Sequence, residues 1–193
     1  MPKGDKIMKR SYFKTKRKTG LKRSGFKKKP KKTARGKKMA LKREIIKQYD
    51  LPNLECKRWG IKKGATRTDI LRGMLWNVFS RFIRHRDAGK CITCLKPKTY
   101  EELQAGHYAP VGGTSVRLWF DEINVNGECE YCNAFDAFHL IPMRRNLIEK
   151  YGVRQIVNIE YIKAQTMTVK WDEAEYIQRI KVYLEKLQQY ENN

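Results

Sequence analysis

Apolar residues fall at helical spacing in several stretches of the chain, and the clearest begins at Thr68. There Ile70, Leu71, Met74, Leu75, Val78, Phe79, Phe82 and Ile83 make one broad stripe, which predicts a core helix with Thr68 and Asp69 as its N-cap. Upstream, Leu41, Ile45 and Tyr49 predict a helix from Met39 that Leu51-Pro52 stops. Downstream, LIPMRRNLIEKYG predicts a helix with Pro142 near its first position and Gly152 past its end, and Ile177, Ile180, Tyr183, Leu184 and Leu187 mark a C-terminal helix after Trp171. Between these helices the period changes. Residues 103–108 (LQAGHY) read as a short strand, residues 116–120 as its antiparallel return with Gly112-Gly113 in the connection, and residues 133–139 as the start of a helix laid against that ribbon. Residues 52–67 read as a connector, where the lone Cys56 is a small buried hydrophobe rather than a ligand or nucleophile. His85, at the polar end of the core helix, reads as a solvated surface histidine.

Charge divides the chain as strongly as hydropathy does. Of the formal net charge of +23, residues 1–38 carry +17, from 18 Lys and Arg against the single acid Asp5. Such a density points to a polyanionic partner, nucleic acid before an anionic membrane surface. The apolar residues of this stretch are too sparse to offset ordering entropy, so residues 1–38 are expected to be a disordered basic tail that holds DNA phosphates, with Tyr12, Phe13 and Phe26 free to stack on bases. The bland alternative is a solubilising or localisation tail. With 193 residues and 40% apolar content, one globular unit is expected beyond the tail. No run of about 18 apolar residues occurs, and the start MPKGDKIMKR lacks a signal-peptide core, so an intracellular protein with no membrane partner is expected.

Four of the five cysteines stand in two C-x-x-C pairs, Cys91/Cys94 and Cys129/Cys132, with 34 residues between the pairs. Two thiolate pairs on two tight knuckles suit tetrahedral zinc. Redox-active pairs are the competitor, and the lack of a βαβ pattern around either pair argues against them. Four thiolates leave no open coordination position, so this zinc is expected to hold the fold rather than hydrolyse anything. Between and after the knuckles lie His107 on a strand and Asn133 and His139 on a helix, the layout of an HNH nuclease site. Such a site uses one divalent ion on the scissile phosphate and a histidine to take a proton from water. Each residue also has a bland reading: His107 as a hydrogen-bonded strand residue, Asn133 as a helix cap, His139 as a histidine at the core edge.

Cys91-x-x-Cys94, Gly106-His107-Tyr108, Arg117-Leu118-Trp119-Phe120-Asp121-Glu122-x-Asn124, Cys129-x-x-Cys132-Asn133 and RRNLIEKYG from Arg144 together resemble the phage NinG family, also called Rap, over about residues 70–160. The two-knuckle frame is also similar to the junction-resolving endonuclease VII. The resemblance implies His107 as general base, Asn133 as a Mg2+ or Mn2+ ligand, zinc on the four cysteines, and Asn124 as the middle HNH asparagine, which orients the strand loop. His139 stands where family members usually carry Asn and would be the third HNH residue. Endonuclease VII has an acidic metal ligand directly before its histidine, where this chain has Gly106. Asp136, Asp121 and Glu122 are possible substitutes, and spacing does not choose among them.

The expected fold is α+β and mainly helical, a small zinc-stapled ββα-metal core packed by flanking helices. The expected division is a tail (1–38), a helix and connector (39–67), an HNH and zinc domain (68–160) and a C-terminal helical extension (161–193). The expected function is a metal-dependent DNA endonuclease of phage recombination acting on branched DNA, a Holliday junction or D-loop. A non-catalytic zinc-dependent nucleic-acid binder and a recombination accessory factor that docks other recombination proteins through residues 153–189 are the alternatives. Symmetric junction cleavage would call for a homodimer, and no heptad seam in the sequence establishes one.

Overall fold

The stripe that begins at Ile70 becomes the centre of the molecule. In a computed structural model describing residues 34–55, 66–111, 116–165 and 169–191, the elements are α1 (Ala34–Tyr49), α2 (Arg67–Arg86), β1 (Gly89–Lys90), β2 (Pro97–Lys98), β3 (Leu103–His107), α3 (Val116–Trp119), β4 (Val125–Cys129), a π turn (Tyr131–Phe135), α4 (Leu140–Tyr151), α5 (Val153–Ala164) and α6 (Glu173–Glu191). The architecture is mainly helical α+β with two small antiparallel ladders, β1-β2 and β3-β4. Cys56 and Gly112-Gly113 lie outside the described residues, as does the tail up to residue 33. Residues 34–38, expected in the tail, instead open α1, where Ala, Arg and Lys are all good helix formers.

Ile70, Leu71, Met74, Leu75, Val78, Phe79 and Ile83 of α2 are fully buried. They pack against Ile45 of α1 and against Tyr176, Ile177, Ile180, Tyr183 and Leu187 of α6. Tyr183 meets Phe79 edge-on at 4.9 Å, and Arg67 ties the start of α2 to Glu173 of α6 at 2.9 Å. The N-cap is Thr66 rather than Thr68 or Asp69, because Thr66 and Asp69 bond each other's backbone N–H in a capping box. A second core joins Leu118 of α3, Met143 and Leu147 of α4 and Ile156 and Ile159 of α5. Gly152, at φ 87°, makes the left-handed turn between α4 and α5 that other residues rarely adopt.

Two expectations at the ladder are corrected. Residues 116–119 form a helical turn, and the strand paired with β3 is β4, in the register Leu103↔Cys129, Gln104↔Glu128, Gly106↔Asn126, His107↔Val125. Val116 and Phe120 turn into the first core and Leu118 into the second, which a strand with alternating faces does not supply in this order. Residues 133–139 do not start a helix either. The π turn ends at Phe135, Asp136 is extended and accepts the Phe138 N–H at 2.9 Å, and α4 begins at Leu140 with His139 at its N-cap. Pro142 is therefore the third residue of α4, a position whose N–H has no helical partner to lose. The ladder is anchored on α2 through Asp87, which accepts the Gly127 N–H at 2.8 Å. Burial works against the Asp87 carboxylate, but Arg86 and Lys150 outweigh it and hold its pKa below the ordinary value.

Candidate metal centres on the two-stranded ladder

Cys91 leaves β1 and Cys94 lies in the turn before β2, where Leu95 takes a left-handed φ of 58° and donates its N–H to the Cys91 carbonyl at 2.9 Å. Cys129 ends β4 and Cys132 is in the π turn. The four sulfurs all lie within 4.8 Å of one another, with Cys94 Sγ and Cys129 Sγ at 4.0 Å. A tetrahedron with Zn–S bonds of about 2.3 Å has edges of roughly 3.8 Å, so the cluster fits zinc. The Cys129 N–H donates to Cys91 Sγ at 3.3 Å, as a thiolate invites. Burial pushes the Cys91 and Cys132 thiols up, and burial acts on Cys94 too, but backbone donation from Lys96 and its neighbouring thiols bring Cys94 down. A divalent cation supplies the charge that lets all four ionise together.

The second centre lies beside the first. Gly106, Gln104, Asn126 and Glu128 share one face of the β3-β4 ladder. Glu128 is 0% exposed. Its Oε1 accepts from Thr93 Oγ1 at 2.5 Å and lies 3.0 Å from His139 Nδ1. Its Oε2 is buried without a partner. Asn133 turns its amide nitrogen to Gln104 Oε1 at 2.7 Å, leaving Oδ1 toward Gly106. A Cβ at Gly106 would come within 2.0 Å of Glu128 Oε2 and 2.9 Å of Asn133 Oδ1. Thus a glycine, an orphaned carboxylate oxygen and an amide oxygen surround one small gap, with an imidazole next to it. These donors are the oxygen and nitrogen types that bind a hard divalent cation. The sequence reading missed Glu128. Its signal was an acid adjoining a ligand cysteine, legible only once β4 is correctly placed.

His107 projects from the opposite face of β3, stacked on Trp76 of α2 at 5.2 Å with a 12° interplanar angle. Its Nε2 lies 3.2 Å from the Trp119 carbonyl. A carbonyl only accepts, so Nε2 carries the proton and Nδ1 the lone pair. Burial pulls the His107 pKa down to about 4, against the opposing pull of the Trp119 carbonyl, so the ring is neutral at neutral pH. Asn124 is 0% exposed and spent on scaffolding. Its Oδ1 accepts the Ala109 N–H at 2.7 Å, and its Nδ2 donates to the Ala109 and Leu118 carbonyls at 3.2 and 2.8 Å, closing the loop that joins β3 to β4. Asp121 accepts the N–H groups of Ile123 and Asn124, both at 2.8 Å. Glu122 bonds Tyr183 and Lys186 of α6 at 3.0 and 2.5 Å, and Asp136 holds its own turn, so all three acids have other partners.

A family model described as Bacteriophage Lambda NinG protein matches residues 47–193. The chain belongs to the NinG family. The match takes in α2 to α6 and both candidate centres, well beyond residues 70–160. Protein ninG of Salmonella phage P22 is 35% identical over 105 residues, covering 52% of this chain and 51% of that protein. Protein ninG of Escherichia phage 933W is 36% identical over 80 residues, covering 41% and 39%, and that of Escherichia phage lambda 35% over 80 residues, covering 41% and 38%. The chain thus spans about half or less of the length of the curated NinG relatives it matches. No solved structure matches it. Among the described residues of this NinG chain, no helix is long and apolar enough to cross a membrane.

The surface around the second centre is unusually apolar for a basic protein. Tyr131, Phe135, Phe138 and Ile141 are 68, 72, 75 and 71% exposed, on the π turn, the following loop and the start of α4. Asn133 and His139 are interleaved with them along the chain. A groove of about 280 Å³ lined by Trp76, Arg84, Gln104 and Asn133 runs alongside.

Proposed function

We infer that this NinG chain is a DNA endonuclease that depends on a divalent cation. The observation that carries the reading is the oxygen-lined gap over Gly106, where Glu128 Oε2 is buried without a partner and Asn133 Oδ1 and the His139 imidazole stand beside it; His107, a neutral imidazole with an Nδ1 lone pair, follows on the other face of β3. His107 Nδ1 takes a proton from a water as its oxygen bonds the phosphodiester phosphorus, and the bond from phosphorus to the leaving sugar oxygen breaks. Asn133 and His139 would hold a Mg2+ or Mn2+ ion, whose part is to neutralise charge on the phosphate and on the leaving oxygen. Trp76 and the Trp119 carbonyl fix the ring of His107, and Asn124 fixes the loop that carries Trp119. The four cysteines would hold zinc with no open coordination position, so that ion takes no part in the chemistry.

DNA as substrate is supported by the charge of +23 and by the exposed aromatic side chains beside the gap, which suit stacking on unpaired bases. Branched DNA rests on the likeness to phage junction resolvases, and partnership with other recombination proteins remains the second reading. The deciding experiment is cleavage of labelled four-way-junction, flap and linear duplex DNA with Mg2+, Mn2+ or EDTA, for wild type and His107→Ala of matched zinc content. Metal-dependent cleavage that His107→Ala abolishes, with DNA binding kept, supports the enzyme. Silence of the folded wild type on every substrate leaves a binding protein.

A further inference from the structure

We propose that Glu128 is the acidic ligand of the divalent cation, delivered from β4 into the space that Gly106 leaves on β3. The proposal rests on the divalent-cation reading above and names a ligand which that reading lacks. Its ground is the state of the Glu128 carboxylate. The side chain is 0% exposed, its Oε1 is held by Thr93 and His139, and its Oε2 is buried with no partner at all. A buried carboxylate oxygen without a donor is costly, which favours a cation standing against it.

The neighbours of Oε2 point the same way. Asn133 Oδ1, another acceptor, faces the same space over Gly106, 2.9 Å from where a Cβ there would stand, and two acceptors on one gap call for a cation or a proton between them. Amide exchange could reverse the Asn133 side chain, but its nitrogen already donates to Gln104 Oε1 at 2.7 Å. His139 Nδ1 lies 3.0 Å from Glu128 Oε1, which is also the spacing of neighbouring ligands around an octahedral cation with bonds of about 2.1 Å. Glu128, Asn133 and His139 together give one carboxylate, one amide oxygen and one imidazole.

Gly106 and Glu128 are mutually exclusive with an acid at position 106. A Cβ there would lie 2.0 Å from Oε2, so any side chain at 106 expels the carboxylate. Gly106 has no unusual φ that would demand glycine, so the demand comes from Glu128 and, less closely, from Asn133.

The test is Mn2+ binding to the zinc-loaded full chain, read from the loss of the free-ion electron paramagnetic resonance signal, alongside cleavage of junction DNA. Wild type should bind one Mn2+ beyond its zinc. Glu128→Gln should weaken that binding at least tenfold with zinc content and circular dichroism unchanged. Gly106→Ala, which leaves the carboxylate in place chemically but displaces it, should weaken binding similarly. The exchange Gly106→Asp with Glu128→Ala should recover part of it. Mn2+ affinity equal to wild type in folded Glu128→Gln, or no Mn2+ bound by wild type, overturns the assignment. Glu128-dependent Mn2+ binding without cleavage of any DNA keeps the assignment and removes the nuclease. Mn2+-dependent cleavage undiminished in Glu128→Gln keeps the nuclease and removes the assignment.

Discussion

The two centres share one ladder and are built in opposite ways. The thiolate centre takes its ligands from two short local turns, fills all four positions with soft sulfur, and closes. The oxygen-lined gap draws Gly106 from β3, Glu128 from β4, Asn133 from the π turn and His139 from the cap of α4. Local turns with strong ligands make a site that folds the chain around a metal. Scattered ligands with one weak amide among them make a site that the fold must hold ready, open to a substrate. The contrast teaches that the first centre is a cause of the ladder and the second a product of it.

The sharpest way to break this contrast is to withdraw the zinc proposed for the four cysteines. Structural zinc contributes on the order of 10 kcal/mol to small domains at neutral pH, so chelation or Cys132→Ser should unfold the ladder, while α2 and α6, held by an apolar core to which the ladder adds only Val125 and Ala105, keep their helicity. Amide hydrogen exchange resolves the two: rapid exchange in β3 and β4 with protection kept in α2 is the expected pattern. Uniform loss of protection would mean that the ladder and the helical core are one cooperative unit. Asn124→Ala comes next. It deletes three buried side-chain hydrogen bonds and strands two groups of Ala109 and one of Leu118, which should cost about 2–4 kcal/mol in urea unfolding and lower cleavage through misplaced Trp119 and His107.

A pH titration separates the faces of the ladder. The folded pKa of His107 is held at about 4 against 6.5, so the unfolded chain binds the extra proton between those values and stability rises with pH across that window. This contribution is full above pH 6.5 and is lost as pH falls toward 4, a difference of about 3 kcal/mol. His107→Gln should flatten the slope there, and the acid limb of any His107-dependent cleavage should lie well below that of an ordinary histidine. The smallest expected effect is at the surface. Phe138→Ala should weaken binding of DNA containing unpaired bases by about 1–3 kcal/mol, with urea unfolding unchanged, since the side chain is exposed.

How much of this was legible in the sequence follows the same division. The cysteines were readable because zinc ligands are set by spacings of two residues, and α2 because a stripe of eight apolar residues permits one helix face. β4 was not, because Val-Asn-Gly-Glu-Cys is buried on both faces and carries polar side chains inward, so its alternation of hydropathy is unlike that of a half-exposed strand. The Val116–Phe120 run looked more strand-like and displaced it. Missing β4 hid Glu128, so the search for an acid turned to Asp121, Glu122 and Asp136, each of which the structure employs elsewhere. Asn133 and His139, read from the sequence as ligands on a helix, stand beside the gap on a turn and a cap instead.

Thr93 gives the pairing of centres a direction in time. It sits between Cys91 and Cys94, and its hydroxyl fixes Glu128, while Glu128 and Asn133 each adjoin a cysteine of the other knuckle. If the four cysteines take zinc as proposed, that ion would steady both Thr93 and Asn133, so uptake would be ordered, zinc first and the proposed second ion after. The proposed activity would then wait on the supply of zinc.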